Sequence, residues 1–340
     1  MRIACLALLA ACSFDALPKL GDGGGSGDGT GDGSSVPPYA SCTGLDISCG
    51  PSSNDNCCSP ALELPAGEVY LDYDEATDLF NDMSHHATLS SPFVLDKYEV
   101  TVGRFRKFVQ AGLGTRNAAP PAGAGSRTLN GMAGQGGWES SWNPSLADSM
   151  ATLQTNLQCG TTYTWTAAIG GNEDKPINCV SWLEAMAFCI WDGGYLPTEA
   201  EWNYAASGGL EQRAYPWSAP ATSISINCMT ANYRMATNPD VYCAFARPRS
   251  VGAYSDGDGK WEHADLAGNV LEWTLDYYGP LPSTCDNCAN VASTTQTARI
   301  WRSGSYISLA VDVRPGRRGS TNQTDRDQEL GFRCARPVPM

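Results

Sequence analysis

Residues 265–273 read DLAGNVLEW, in which a Gly-Asn pair precedes a short apolar segment. Gly268 and Asn269 both tolerate left-handed backbone, so the pair predicts a tight turn. A carboxylate stands on each side of that turn, at Asp265 and Glu272. From residue 215 onward, Pro, Gly and Asn separate similar short apolar pieces. This pattern predicts a domain with much irregular coil.

N-terminal to this stretch, three helices are marked by their first residues. Thr101 is a candidate N-cap for a helix with an apolar stripe. Ser181 with Glu184, and Thr198 with Glu201, each match the capping-box pattern S/T-x-x-E. Glycines follow both of these segments and predict their ends. Short apolar pieces together with a few clear helices indicate an α+β fold.

Several longer motifs occur in a fixed order along the chain. They are FVLDKYEVTVGRF (93–105), PINCVSWLEA (176–185), LPTEAEWNYAA (196–206), YPW (215–217), DLAGNVLEW (265–273), RSGSY (302–306) and GFRC (331–334). Their order and spacing resemble the formylglycine-generating enzyme (sulfatase-modifying factor) family over residues 63–340. The resemblance implies a single domain related to the C-type lectin fold, with little regular secondary structure.

The resemblance also implies an activity, the oxidation of a substrate cysteine to formylglycine by copper(I) held between two cysteines. Soft thiolates suit Cu(I). In this chain Ser308 and Val313 stand at the two copper positions, and neither side chain offers a thiolate. Leu271 replaces a Trp that lines the oxygen pocket, whereas Ser305 matches the pocket serine. We therefore expect no copper and no ordinary formylglycine generation.

Structural calcium is a further implication of the resemblance. The first ligand set would combine two carboxylates with two backbone carbonyls, from Asp265, Gly268, Val270 and Glu272. A second, weaker set would begin at Asn232 and Tyr233, with Asp240 as a further candidate. Oxygen donors of this kind suit Ca²⁺. The residues alone are also compatible with a Gly-Asn turn flanked by solvated carboxylates.

The histidines do not form a metal-ligand pattern. Relatives of the family hold iron with three histidines, and this chain has only His85, His86 and His263. Adjacent residues point to opposite sides of an extended segment, so we expect His85 and His86 to be surface residues. We expect His263 to be a turn residue.

The 14 cysteines indicate an exported chain with disulfides. The family resemblance implies a bond between Cys189 and Cys334. Cys228 and Cys243 flank the Asn232 loop, and we expect them to pair. Cys285 and Cys288 form a CxxC in a loop, for which a structural disulfide is favoured over a metal or redox site. The remaining pairings stay open, for Cys159, Cys179 and the dense cluster of Cys42, Cys49, Cys57 and Cys58 in a small cap segment, residues 41–62.

The N-terminus resembles a bacterial lipoprotein signal. Residues 1–12 read MRIACLALLAAC, with Arg2 before a short apolar region and a lipobox-like end. We expect removal of residues 1–11 and lipidation of Cys12, although an ordinary signal peptide is the alternative. Ser13 after this cysteine suggests the outer membrane by resemblance. Residues 12–40 are rich in Gly, Asp and Ser and predict a tether.

The charge balance disfavours some partners. With 22 Lys and Arg against 36 Asp and Glu, the net charge is 22 − 36 = −14, which argues against nucleic acid. We expect a binding module on the cell envelope for a peptide, protein or glycan, attached to the membrane through Cys12. An oxidoreductase with altered chemistry around Ser305, Ser308, Asp312 and Arg314 is one alternative. A structural envelope component is the other.

Overall fold

The computed structural model describes residues 39–59, 62–235, 241–292 and 297–338. Within these residues the α-helices are α1 (Val102–Gln110), α2 (Met150–Asn156), α3 (Trp182–Trp191) and α4 (Glu199–Ser207). The first strands are β1 (Ser48–Cys49), β2 (Asp55–Asn56), β3 (Leu62–Leu64), β4 (Gly67–Tyr70), β5 (His86–Leu89), β6 (Phe93–Leu95), β7 (Arg127–Leu129) and β8 (Met132–Gln135). The later strands are β9 (Leu271–Tyr277), β10 (Thr284–Asp286), β11 (Ala298–Arg302), β12 (Gly319–Asn322), β13 (Leu330–Gly331) and β14 (Ala335–Pro337).

The strands form small separate sheets. The largest has the order β12-β11-β9-β13, and two others have the orders β10-β5-β4 and β14-β6-β3. The pairs β13–β9 and β10–β5 are parallel, whereas the other strand pairs of these three sheets are antiparallel. The hairpins β1–β2 and β7–β8 lie apart. Short mixed sheets with few helices confirm the predicted α+β class with much coil.

The helix caps are confirmed at all three predicted positions. Thr101 accepts a hydrogen bond from the Arg104 amide. Both capping boxes are formed, at α3 and at α4. Gly208 ends α4 in left-handed backbone, with φ 74°.

Helix α2 was not predicted, because its sequence has no sustained apolar period. Its one signal is Ser149, whose side chain accepts from the Thr152 amide.

Buried tryptophans tie helices to irregular backbone. Trp182 on α3 donates its indole N–H to the Thr274 carbonyl at 2.7 Å. Trp273 on β9 donates to the Val180 carbonyl at 3.0 Å. Both side chains are fully buried, so each hydrogen bond satisfies a backbone acceptor that water does not reach. These contacts join α3 to the sheet that contains the DLAGNVLEW stretch.

Six disulfides are formed within the described residues. Three match the predicted pairs, Cys189–Cys334, Cys228–Cys243 and Cys285–Cys288. The pairings left open by the sequence are Cys42–Cys58, Cys49–Cys57 and Cys159–Cys179. Together these bonds use all twelve cysteines of the described residues.

The cap segment packs against a buried ion-pair network. Ser41 donates its backbone N–H to Asp192 at 2.7 Å, and its hydroxyl accepts from Arg104 Nε at 2.9 Å. Arg104 also pairs with Asp96 and Asp192, each of which pairs with Arg336. Because all of these side chains are buried, the network fixes the start of the cap segment to α1 and α3.

Most of the predicted N-terminal features lie outside the described residues. These are the signal (1–11), the lipidation site at Cys12 and nearly all of the tether (12–40). Within the part of the chain that the structure describes, no helix is long and apolar enough to cross a membrane.

Candidate functional site

A buried ion pair links two of the quoted motifs. Glu272 of DLAGNVLEW accepts from Arg333 Nε and Nη2 of GFRC, both at 2.7 Å. The Glu272 carboxylate also accepts from the Trp202 indole of α4 at 2.9 Å. Both charged side chains are fully buried, and such pairs require good geometry to offset their desolvation. This part of the family pattern therefore organises the fold.

The Gly-Asn turn approaches other backbone closely. Gly268 has φ +88°, and a Cβ there would overlap the carbonyl oxygen of Asn232. Asn269 has φ 60° and donates its side-chain amide to Glu99 at 2.6 Å. Glu99 also accepts from the Val270 amide at 3.2 Å. The predicted tight turn is confirmed, and of the two carboxylates beside it Glu272 is fully buried and Asp265 is half-buried.

Ser305 and Ser308 form a polar cluster with Glu329. Ser308 Oγ accepts from the Ser305 amide at 2.9 Å and lies 3.3 Å from Ser305 Oγ. Ser305 Oγ donates to the Glu329 carboxylate. Burial raises the pKa of Glu329 above its ordinary value, and the Ser305 hydrogen bond opposes that rise. The predicted pocket serine is thus held between a second hydroxyl and a half-buried carboxylate.

The other two positions that the resemblance assigns to the active site, Leu271 and Val313, carry apolar side chains. Leu271 is half-buried, and its amide donates to the Glu329 carbonyl at 2.7 Å. Val313 is fully buried in a cluster with Tyr215, Ala231, Tyr233 and Ala267. Val313 therefore serves as a packing residue at a position where the family resemblance places a copper ligand.

The donor set around this region does not fit copper(I). Ser308 offers a neutral hydroxyl and Val313 offers no donor atom. Within residues 39–59, 62–235, 241–292 and 297–338, every cysteine is in a disulfide. A disulfide sulfur is not a thiolate, and the thiolate is the ligand that Cu(I) prefers.

The first predicted calcium set fits in part. Asp265 Oδ2 accepts from the Gly252 amide. Burial raises the pKa of Asp265 to about 6, and the nearby Glu272 carboxylate adds to that rise. Glu272 uses about three of its four lone-pair sites on Arg333 and Trp202. A cation would therefore take most of its side-chain coordination from Asp265, with Gly268 and Val270 as carbonyl donors.

The second predicted set is described at Asn232 and Tyr233 only, because Asp240 lies outside the described residues. Asn232 is buried, and its side-chain oxygen has no hydrogen-bond partner. The Asn232 amide nitrogen donates to the Arg247 carbonyl at 2.9 Å. An unpartnered buried oxygen is compatible with a cation ligand. Among the described residues, no group of three His, Cys, Asp or Glu side chains is arranged for a metal ion.

The three histidines have separate structural roles. His85 lies 3.3 Å from Asp82, and His86 lies 3.2 Å from Glu68, with both rings partly exposed. His263 is almost fully buried, and burial lowers its pKa to about 3. Its Nε2 lies 3.2 Å from the Leu95 carbonyl. His263 is therefore a neutral, packed residue at neutral pH.

Asp312 and Arg314 are engaged away from the serine cluster. Asp312 lies 3.2 Å from Arg317. Arg314 pairs with Asp74 and Asp78. The alternative that placed these two side chains with Ser305 and Ser308 in one reactive group therefore lacks support from the geometry.

Sequence reasoning missed Glu329 and Glu99. Glu329 precedes the short strand β13 and was not part of a quoted motif. Glu99 stands inside FVLDKYEVTVGRF, and its place in a long motif was the available signal. Their partners are distant in sequence, since Ser305 and Glu329 are 24 residues apart and Glu99 and Asn269 are 170 apart.

The chain matches a known protein family over most of its length. A family model described as "Sulfatase-modifying factor enzyme 1-like domain" matches residues 51–338. The chain belongs to this family. The match begins within the predicted cap segment and covers the sites described above.

Relatives with contrasting names match over most of their length. The formylglycine-generating enzyme of Streptomyces coelicolor is 29% identical over 315 residues, covering 84% of this chain and 92% of the relative. The inactive C-alpha-formylglycine-generating enzyme 2 of Bos taurus is 25% identical over 293 residues, covering 81% and 87%. Family membership therefore includes proteins named as enzymes and proteins named as inactive.

Solved structures confirm the fold. PvdO from Pseudomonas aeruginosa matches with a TM-score of 0.54 and 19% identity, covering 81% of this chain and 93% of PvdO. Treponema denticola variable protein 1 matches with a TM-score of 0.52 and 18% identity, covering 81% and 94%. At these identities the similarity establishes the fold alone.

Proposed function

We propose that this chain is a family member that does not generate formylglycine and acts as a binding module on the cell envelope. The observation that supports this most strongly is the set of groups at the copper positions. A hydroxyl at Ser308 and a buried isopropyl group at Val313 replace two thiolates. The family match, which includes relatives named as inactive, is compatible with a retained fold without that chemistry.

The remaining polar groups suit recognition. Ser308 and Glu329, both half-buried, present a hydroxyl and a carboxylate beside β9, β11 and β13, whereas Ser305 is fully buried behind them. Such groups can donate to and accept from a peptide, protein or glycan. The lipobox-like end at Cys12 supports display at the outer membrane, with residues 12–40 as a tether. We also propose structural calcium at Asp265, Gly268 and Val270.

The proposal is tested by an oxidation assay. The purified chain, with its disulfides intact, is incubated with Cu(I), oxygen and a cysteine-containing sulfatase-type peptide. Mass spectrometry then measures the conversion of the peptide thiol to an aldehyde. We expect no conversion above a peptide-only control, because no thiolate pair holds the copper. Conversion that depends on the chain contradicts the proposal.

One observation favours a second candidate, an enzyme that activates a hydroxyl, which differs from the oxidoreductase alternative given by the resemblance. Ser305 Oγ contacts the Glu329 carboxylate directly, which is a contact that a general base makes with a hydroxyl. A turnover assay against aryl ester substrates, comparing the chain with Glu329→Gln, tests this candidate. Equal rates for the two proteins would remove it, and a loss of turnover in the variant would support it. Stoichiometric co-purification with an envelope assembly, without ligand binding, would instead support a structural role.

A further inference from the structure

Phe245 is exposed to solvent in an unusual backbone conformation. Its side chain is 91% exposed. Phe245 and the next residue, Ala246, have φ values of 54° and 53°. Left-handed backbone is unfavourable for side chains other than Gly, Asn and Asp. Such strain, combined with an exposed aromatic ring, favours a role in binding.

A disulfide and two asparagines hold this segment in place. Cys228 and Cys243 are bonded, with their Cα atoms 5.2 Å apart. The bond places Met229, which is 67% exposed, on the chain segment beside that of Phe245. The Arg247 carbonyl accepts from Asn232, and the Arg249 amide donates to Asn269 at 2.9 Å. The exposed side chains therefore stand on anchored backbone.

Two exposed cations follow Phe245 in the sequence. Arg247 and Arg249 are both exposed. Within the described ranges, neither forms an ion pair with a carboxylate, although most arginines of the domain do so. The chain as a whole has a net charge of −14. The two guanidinium groups therefore place positive charge on this part of an acidic protein. We call Met229, Phe245, Arg247 and Arg249 the Phe245 surface.

The Phe245 surface borders the serine cluster. The Arg234 amide donates to the Ser308 carbonyl at 2.8 Å, which joins the disulfide-bonded segment to the former copper position. Burial raises the pKa of Tyr306 to about 12, and the charge of Arg247 opposes that rise. Arg247 therefore lies close enough to Tyr306 to act on it electrostatically. A ligand that contacts the half-buried Ser308 would lie next to this surface.

We propose that the Phe245 surface docks an acidic polypeptide segment of a partner protein. An apolar side chain of that segment would pack on Phe245 and Met229, and carboxylates would pair with Arg247 and Arg249. This inference rests on the proposed binding function and names the class of partner. Guanidinium groups that have no carboxylate partner among the described residues favour a negatively charged ligand, and exposed aromatic and Met side chains are frequent interface anchors.

An anionic membrane surface is disfavoured as the occupant. The cations are few, and the other charges of the chain sum to a strong negative excess. An anionic bilayer would repel most of this protein, since each unit of like charge near the surface opposes binding. A peptide segment can contact the Phe245 surface without meeting the rest of the acidic exterior.

The test is an unbiased selection. A phage library of random twelve-residue peptides is selected on the full chain in detergent, and the recovered sequences are counted. We expect enrichment of Asp and Glu over Lys and Arg, together with an aromatic or aliphatic residue. We expect Phe245→Ala and Arg247→Glu each to weaken a recovered peptide by about tenfold, as for truncation of an interface anchor.

Two matched variants control for surface and charge changes. Leu210→Ala removes another exposed apolar side chain, which is 56% exposed, and Arg116→Glu reverses another exposed arginine. Neither is expected to change peptide affinity by more than about twofold. Circular dichroism of each variant verifies that the fold is retained.

Three outcomes overturn the inference. They are recovery of neutral or basic peptides, recovery of no peptides, and Phe245-dependent sedimentation with vesicles of three parts phosphatidylcholine to one part phosphatidylglycerol in place of peptide binding. Each leaves the oxidation assay unaffected. Failure of this inference is therefore distinguishable from formylglycine generation, which would contradict the proposed function itself.

Discussion

Glu272 lies on β9 and Ser308 follows the neighbouring strand β11, but the two residues have different surroundings. Glu272 on β9 is paired with Arg333 and Trp202, and all three residues lie in the quoted motifs. Ser308 follows β11, and together with Val313 it stands where the resemblance places thiolates. The comparison teaches that the buried contacts of this fold are formed without thiolates at the two positions where the resemblance places copper ligands.

The largest expected effect comes from breaking the Glu272–Arg333 pair. Arg333→Met leaves the Glu272 carboxylate buried without its cation, which costs about 3–5 kcal/mol of unfolding free energy. Chemical denaturation monitored by tryptophan fluorescence measures the change. Arg116→Met, at an exposed site, is the control and is expected to change stability by about 0.5 kcal/mol or less. Equal stability of the two variants would contradict a structural role for the pair.

The second prediction compares the stability lost on removing two disulfides that close loops of different length. Cys189–Cys334 spans 145 residues, whereas Cys285–Cys288 spans three. Loop entropy predicts that replacing the first pair by alanines costs about 3 kcal/mol more than replacing the second. Denaturation of the two double variants side by side checks this. A larger loss from the Cys285–Cys288 pair would show that this CxxC has more than a local role.

The sequence could predict the parts of the fold that depend on local signals. The Thr101 cap, the two capping boxes and the Gly268-Asn269 turn each need only a few neighbouring residues, and all are present. Helix α2 has no periodic apolar face. Its stability depends on tertiary packing, as shown by the fully buried Leu153, so local signals could not establish it.

The sequence predicted residues of the candidate site only at positions that belong to a motif of the family resemblance. Ser305, Ser308 and Leu271 were found this way, and the structure places all three near Glu329. Glu329 could not be found, because it meets Ser305 only in the folded chain and no short sequence motif contains both residues. The same reason hid the contact of Asn269 with Glu99. Asp312 and Arg314 were close in sequence to Ser308, yet their charges are satisfied elsewhere.

A smaller effect is expected when calcium is removed from the proposed site at Asp265. Binding to the folded state raises its stability by about 2.7 kcal/mol when the free calcium concentration is one hundred times the Kd. We expect EDTA to lower the melting temperature and added calcium to restore it. Asp265→Ala should abolish the difference between the two conditions. An unchanged melting temperature of the native chain in EDTA would remove the calcium proposal.

A pH-dependent effect concerns a buried carboxyl distant from these ligands. Burial raises the pKa of Asp276 to about 7, and Glu199 adds to the rise while two backbone amides and Arg318 oppose it. The folded state then holds a proton that the unfolded state loses near pH 4. Stability from this group is complete below about pH 4 and is lost as the pH rises to about 7.

The corresponding measurement is unfolding free energy against pH. The native chain should lose up to about 1.4 kcal/mol per pH unit through Asp276 between pH 4 and 7. Asp276→Asn should remove that slope, whereas Asp286→Asn, at an exposed position of β10, should keep it. A slope that persists unchanged in Asp276→Asn would show that other groups determine the pH dependence.

The central claim is tested most directly by a copper(I) titration. The native chain and a Ser308→Cys, Val313→Cys double variant compete with a chromophoric Cu(I) chelator, and bound metal is counted per chain. The account predicts no copper on the native chain and one copper on the variant, because only the variant has thiolates at both positions. One tightly held copper on the native chain would contradict it.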